Sequence, residues 1–343
     1  MLGQQDVGHR VVVRRIVGIR GDRPLFSDAL GELVDLTETY LTVNTAKGPL
    51  RVPLAEVHRA KRVPPPPPKR APRAPGAPRP TAAAALALEL AANDAWPAPI
   101  QERLGDWLLR AADGWTGRAN SALPVGEPDR PLAAAIDAVQ QWYGDRGQPA
   151  MITLPSPLPL AGRLGQALDA RGWTARPPVL VQTAPLTAVR NATRYRADLP
   201  PVELAEAPSK EWLTIAAARK GALPDVARHV LTAVDQIRFA YLYDTVEPGG
   251  RQLLGIARGT VTGEGRWLGL TLLEVLPQAR GRGLAPQLIR ALVEWAAGLG
   301  ATDFFLQVET ANSAVALYER LGFTTHHTYQ VRVAPETATA AAG

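Results

Sequence analysis

The chain is expected to be an α/β (α+β) protein: an all-β N-terminal segment, a proline-rich linker, then two helix–strand–helix–strand units of one layout. Three observations lead there. Residues 6–63 hold β-branched runs broken by glycine turns and no clear helix. Five consecutive prolines, Pro64–Pro68, follow. Beyond them, "LAAAIDAVQQWYGDRGQPAMITLP" with "LGQALDARGWT" echoes "LAPQLIRALVEWAAGLGATDFFLQVE" with "VALYERLGFT". Trp142 and Trp295 are 153 residues apart and Gly172 and Gly322 are 150 apart, which points to a duplication.

The totals narrow the function classes. Hydrophobic residues make up 46% and charged residues 20% of 343, the balance of a globular chain with room for two or three domains. There is no cysteine, which excludes disulfides, thiolate metal sites and a catalytic thiol. The N-terminus carries no secretory apolar core, and no run of about 18 apolar residues occurs, so a cytoplasmic protein with no membrane partner is expected. Net charge is +6. Seven cations (Arg59, Lys61, Arg62, Lys69, Arg70, Arg73, Arg79) lie between Glu56 and Glu89 with no acid among them. Without those seven, 31 basic residues face 32 acidic ones, so the basic character belongs to one segment. That segment is either a solvated linker or a contact for nucleic acid or another anionic surface.

The elements follow in order. "HRVVVRRIVG", "GELVDLTETYLTVNTA" and "GPLRVPLAEVHRAKRV" are strands, and residues 1–63 are expected to close into a small barrel similar to SH3- or Tudor-like folds. Such a barrel would bind peptide or nucleic acid, or only dock on its neighbour. Residues 64–80 are a Pro/Arg-rich linker holding extended polyproline. "TAAAALALELAANDAW" is a helix, and "IQERLGDWLLRAADG" is expected to be another, with Ile100, Leu104, Trp107 and Leu108 on one face. The first repeated unit then runs to about residue 199, the second covers 200–335, and 336–343 form a disordered tail.

The units differ in the loop before their long helix. The first has "LPVGEPDRP"; the second has "QARGRGLAP". "RWLGLTLLEVLP" upstream is a strand, and Leu284, Leu288, Leu292, Trp295 and Leu299 downstream recur on one helical face. Pro286 falls in the first turn, where its missing N–H costs nothing. The loop therefore presents unpaired N–H groups at the positive end of a helix, a site that favours anions. Gly281 and Gly283 allow close backbone approach, and Arg280 and Arg282 add charge-assisted bonds, so a polyphosphate fits. No Walker lysine follows, and Pro286 stands where a dinucleotide fingerprint needs its third glycine.

"QARGRGLA" resembles the pyrophosphate loop of the GNAT superfamily of N-acetyltransferases, and "LQVETANSAVALYERLGF" resembles that family's second signature. The resemblance covers roughly 200–333 and implies a GNAT fold in tandem, with residues 81–199 a degenerate half as in mycothiol synthase. It implies acetyl-CoA as cosubstrate, direct transfer to a primary amine, no metal and no covalent enzyme intermediate. Gln278, Arg280, Gly281, Arg282, Gly283, Leu284 and Ala285 would hold the pyrophosphate, and the Val275 backbone N–H would serve the oxyanion. Tyr318 would protonate the leaving thiolate. Asn312 would touch the cosubstrate, although it stands six residues before Tyr318 where the family has seven; it can equally cap the helix. Glu274, isolated on an apolar strand, is the first candidate base and Glu309 the second. His326 and His327 are expected to be exposed strand residues. The acceptor pocket is expected between the units, with Arg219–Gln236 contributing. The acceptor is a protein, amino-acid or small-molecule amine. Two alternatives stand beside this: a mycothiol-synthase-like small-molecule acetyltransferase, and an acetyl-CoA-sensing adaptor whose barrel and basic linker bind nucleic acid.

Overall fold

The computed structural model describes residues 2–20, 23–45, 48–63, 80–220, 223–246 and 249–335, in two compact units, Met1–Pro72 and Arg73–Gly343. The polyproline stretch and the tail from residue 336 lie outside the described residues.

The first unit is one antiparallel sheet. Its strands are β1 (Arg10–Arg20), β2 (Arg23–Leu36), β3 (Tyr40–Thr45), β4 (Gly48–Pro53) and β5 (Val57–Arg62), in the order β4-β3-β2-β1-β5. Alternate residues Val11, Val13, Leu33, Leu41, Val43 and Val52 bury one face. Phe26, Leu30 and Val34 stand exposed on β2. The expected closed barrel is not formed: among the described residues no ladder joins β4 to β5. Pro49 and Pro53 leave β4 without two of its donors, which suits an edge strand. The turn Leu54–Glu56 then carries the chain to β5 on the far edge.

The second unit begins with α1 (Ala82–Asp94), capped by the Thr81 hydroxyl, which accepts from the Ala84 N–H at 3.1 Å. The helix expected next is instead a hairpin, β6 (Ile100–Leu104) and β7 (Trp107–Ala111), continued by β8 (Leu123–Pro124). Leu104 pairs with Trp107 across a two-residue Gly105-Asp106 turn, with Gly105 at φ +59°. That local turn outweighs an apolar spacing that would equally suit a helix. There follow α2 (Leu132–Gly144), β9 (Met151–Pro155), α3 (Leu160–Asp169), β10 (Thr174–Ala175), β11 (Val179–Pro185) and α4 (Leu186–Ala192). Next come β12 (Val202–Ala205), α5 (Lys210–Lys220), α6 (Asp225–Thr232), β13 (Ile237–Val246), β14 (Gly250–Thr262) and β15 (Trp267–Val275). The chain closes with α7 (Leu284–Gly298), β16 (Asp303–Glu309), α8 (Val315–Arg320) and β17 (Thr324–Val333).

One layout occurs twice. Three antiparallel strands, a helix, a strand, a helix and a final strand describe β6 to β11, and again β13 to β17. The final strands are exchanged. β11 pairs with β16 on one edge and β17 on the other, while β17 pairs through Tyr329–Val333 with β9. Neither set of elements completes its own sheet. Helices α4, α7 and α8 cover one face through Leu186, Leu288, Leu292 and Tyr318. α1, α5 and α6 cover the other through Leu88, Trp212 and Val230. Leu299, expected on the apolar face of α7, lies past its end and is 43% exposed.

Sandwiching buries polar groups that the sequence leaves looking ordinary. His327 is 5% exposed, not a surface residue, because α1 lies over β17. Its Nε2 is 2.8 Å from Glu89 Oε1, and its Nδ1 is 2.8 Å from His326 Nδ1. Arg258 on β14 is wholly buried with no carboxylate beside it. It donates to Leu231 O (2.9 Å) and Val230 O (3.4 Å) at the end of α6, to Ala95 O (3.0 Å) at the end of α1, and to Thr271 Oγ1 (3.2 Å). Two helix C-termini thus supply the negative end that balances its charge. Burial, with Arg118 adding to it, pushes its pKa down to about 9. We expect Arg258→Ala to cost roughly 3 kcal/mol in urea unfolding, since three carbonyls lose their donor. Arg258→Met should recover part of that by filling the space; equal midpoints for Ala and wild type would contradict this role.

Candidate active site

The site grows from one irregularity in β15. Ile256 pairs with Glu274 and Arg258 with Thr271, so Leu272 and Leu273 together oppose Ala257. Leu272 takes φ +52°, a strained value for a branched side chain. This bulge reverses the facing of the strand. Before it, Leu268 and Leu270 pack toward α7; after it, Leu273 and Val275 do. Leu272 turns to the α5–α6 face, and so does Glu274, opposite Ile256 of that same cluster.

The bulge also ends a pairing. β15 runs parallel to β16 only from Trp267–Leu270 against Asp303–Leu306, after which the two strands diverge. The Leu276 N–H donates to Leu254 O at 2.9 Å, toward β14. By strand alternation, Val275 turns its N–H and C=O the other way, into the gap. Arg280 Nε donates to Val275 O at 3.1 Å on that side. The gap opens into a cleft of about 720 Å³.

One end of the cleft is the Gly-Arg loop. After the turn Pro277–Ala279 the chain passes Gly281 (φ +79°) and Gly283 (φ +88°), and α7 starts at Leu284. Gly283 is the N-cap and no side chain caps this helix. Pro286 removes one donor, and the N–H groups of Leu284 and Ala285 have no partner within the helix. Arg280 and Ala285 line the cleft. Gln278, Gly281, Arg282 and Gly283 sit on the loop outside that lining, and Leu284 is buried under it. Arg282 bonds Asp244 Oδ2 at 3.1 Å. A bare backbone at positive φ, an uncapped helix start and an adjacent guanidinium fit a pyrophosphate.

Tyr318 and Asn312 come from the turn and helix after β16, and both line the cleft. Tyr318 is 8% exposed, its ring edge-on to Phe323 with centroids 5.9 Å apart. Asn312 Oδ1 accepts from the Ala314 N–H at 2.9 Å, so its side chain caps the turn into α8. Glu274 and Glu309 also line the cleft. Glu309 ends β16 in phase with Phe305, which packs against α1, so it points away from α7.

Sequence reasoning missed the other wall. Trp96, Thr116–Arg118, Arg176 and Pro177 line it, while none of the described residues of the expected stretch 219–236 does so. α6 instead supports the wall from behind through Val230 and Leu231. Trp96 stacks on Trp115 at 5.4 Å and its Nε1–H donates to Thr116 Oγ1 at 3.1 Å. "GWTGR" (114–118) fits no motif; its dense aromatic, glycine and cation content in a loop was the sole signal. Among the described residues, no cluster of His, Asp or Glu could hold a metal ion, and no helix is long and apolar enough to cross a membrane.

This architecture has known relatives. The fold resembles a GCN5-related N-acetyltransferase from Kribbella flavida, with a TM-score of 0.52 at 16% identity over 75% of this chain and 97% of that one. Residues 82–332 match the family described as "Probable histone acetyltransferase Rv0428c C-terminal". The "Uncharacterized N-acetyltransferase YobR" of Bacillus subtilis is 29% identical over 255 residues, covering 71% of this chain and 97% of that protein. The "Probable histone acetyltransferase Rv0428c" of Mycobacterium tuberculosis is 32% identical over 256 residues, covering 71% of this chain and 72% of that protein. Residues 1–81 lie outside the family match. With most of the chain matched, and with the loop, the diverging strands and the Tyr318 helix in one cleft, the chain belongs to this family and is a GNAT-family N-acetyltransferase.

Proposed function

We propose that the cleft at the divergence of β15 and β16 transfers the acetyl group of acetyl-CoA directly to a primary amine. The observation that carries this reading is the Val275 N–H, turned by the bulge into the same gap that Tyr318 lines from the α7 side. Acetyl-CoA supplies the activated acyl group. The N–H groups of the loop from Gly281 to Ala285, with Arg280 beside them, hold its pyrophosphate. The Val275 N–H donates to the acyl oxygen, where charge develops in the transition state. Tyr318 holds the proton that the departing sulfur needs. Glu274, on the opposite face, accepts a proton from the attacking amine, which is otherwise protonated at neutral pH. Glu309 stands beside the acceptor path as a second carboxylate. Asn312 shapes the turn that carries α8.

The recurrence of one layout with exchanged final strands supports a tandem arrangement with one working half. In the first half, β8 has two residues where β15 has nine, and α2 starts after Pro131 with no glycine loop. The acidic residues of "LPVGEPDRP" would repel a phosphate there.

The test is a thiol-release assay. The chain has no cysteine, so free CoA is the only thiol that can appear. Thiol release that requires both acetyl-CoA and an added amine supports the reading; its absence with every amine, from protein that binds acetyl-CoA, refutes it. We expect Glu274→Gln to lower the rate about 100-fold at pH 7. The deficit should shrink as pH rises toward about 10, where the amine loses its proton unaided. A deficit constant across pH would assign Glu274 to another role.

A further inference from the structure

We propose that the acceptor is a small amine bearing an anionic group, a carboxylate or a phosphate, held by Arg118 and Arg176 on the cleft face opposite Tyr318. The proposal rests on the acetyl-transfer reading above and names its substrate class.

Two arginines reach the cleft from separate segments. Arg118 lies on the short turn Gly117–Ala119 after β7, and Arg176 lies between β10 and β11. Both line the cleft. Arg176 Nη1 is 3.2 Å from where a Cβ on Gly117 would stand, so a glycine at 117 leaves room for that guanidinium beside the Arg118 turn. Arg118 is held 5.5 Å from the Trp96 ring, itself fixed by Trp115 and Thr116.

Neither arginine forms an ion pair among the described residues. The contrast is with the surface, where Arg163, Arg190 and Arg266 each sit on a carboxylate. Two guanidiniums with no carboxylate at contact distance among the described residues leave donors for an anion, in a cleft that also holds Glu274 and Glu309. The charge is felt nearby: Arg118 helps to lower the pKa of the buried Arg258 behind the wall.

The carboxylates lie on the same face, toward the diverging strands. Glu274 and Glu309 border the point where the amine must reach the acyl group, and the arginines line the same cleft. One molecule satisfies both ends if its amine meets the carboxylates and an anionic group meets the arginines. A planar carboxylate or a phosphate oxygen pair matches guanidinium geometry. A lysine-rich peptide would instead bring further cations against Arg118 and Arg176.

The test pairs amines with and without an anionic group: alanine with alaninamide, β-alanine with its amide, and phosphoethanolamine with ethanolamine, beside a lysine-rich peptide. Thiol release is followed with the full chain. The anionic members are expected to exceed their neutral partners in kcat/KM by at least about tenfold, the scale of a charge-assisted contact. The carboxylate and phosphate pairs show which anion is preferred. In Arg118→Gln and Arg176→Gln that preference should collapse toward one, with the thermal midpoint and acetyl-CoA affinity reported alongside. A preference near one in the wild type, or best turnover with the lysine-rich peptide, overturns the proposal and leaves acetyl transfer intact. Failure of every amine, with acetyl-CoA still binding, refutes the transfer reading. In that event, calorimetric titration of the same pairs into CoA-saturated protein judges the arginines alone, and equal affinity for acid and amide overturns them.

Discussion

Tyr318→Phe is expected to lower kcat about 10²–10³-fold, the usual weight of a positioned general acid, while acetyl-CoA affinity stays within about twofold. The ring should keep its place, because its edge-on contact with Phe323 and its position in the α7–α8 core do not involve the hydroxyl. A fall in rate without a fall in affinity is the signature of a group needed only in the transition state. Stopped-flow thiol release, with calorimetric titration of acetyl-CoA, separates the two. A rate within about threefold of wild type would make Tyr318 a core aromatic and move proton delivery to water or another side chain.

The second large effect belongs to the loop. Gly281→Glu with Gly283→Glu is expected to abolish saturable acetyl-CoA binding, a loss of at least about 100-fold. Two causes act together. Both glycines have φ near +80 to +90° (+79° and +88°), where an L-residue costs about 1–2 kcal/mol each. The new carboxylates would also repel phosphate at the helix start. The separate causes can be told apart. A Cβ at Gly281 meets nothing within 4 Å, so Gly281→Ala carries backbone strain alone and should weaken binding far less than Gly281→Glu. Equal losses for Ala and Glu would mean that loop conformation, not charge, governs the site.

What the sequence made legible was local. The Gly-Arg loop, the strand before it and the face of α7 could be read because each rests on neighbours a few residues apart. The place of Tyr318 on the helix beside the cleft could be read because its motif has a fixed order. The repeat was visible through Trp142 and Trp295, yet the exchange of β11 and β17 was not, since strand pairing across about 150 residues leaves no local pattern. The Ile100–Ala111 hairpin was misread because four apolar residues fit a helical face, and a two-residue Gly-Asp turn decided otherwise. The N-terminal strands were placed, but closure depended on β4 meeting β5, which strand content does not settle. The bulge at Leu272 mattered most. It reverses the facing of Glu274 and Val275, and nothing in "LTLLEV" marks which leucine will take a positive φ. Arg118, Arg176 and Trp96 were invisible as cleft-lining residues because they come from segments far from the motif and converge only in the fold.

Acetyl-CoA must occupy the cleft between β15 and β16 for any of these roles to hold. Calorimetric titration of acetyl-CoA into the full chain, its Tyr318→Phe variant and the double glycine variant tests this most directly, with circular dichroism to confirm that each is folded. One-to-one saturable binding is expected from the first two with similar affinity, and none from the third. Folded wild-type protein that gives no saturable heat with acetyl-CoA, or a glycine variant that binds as tightly as wild type, would contradict it.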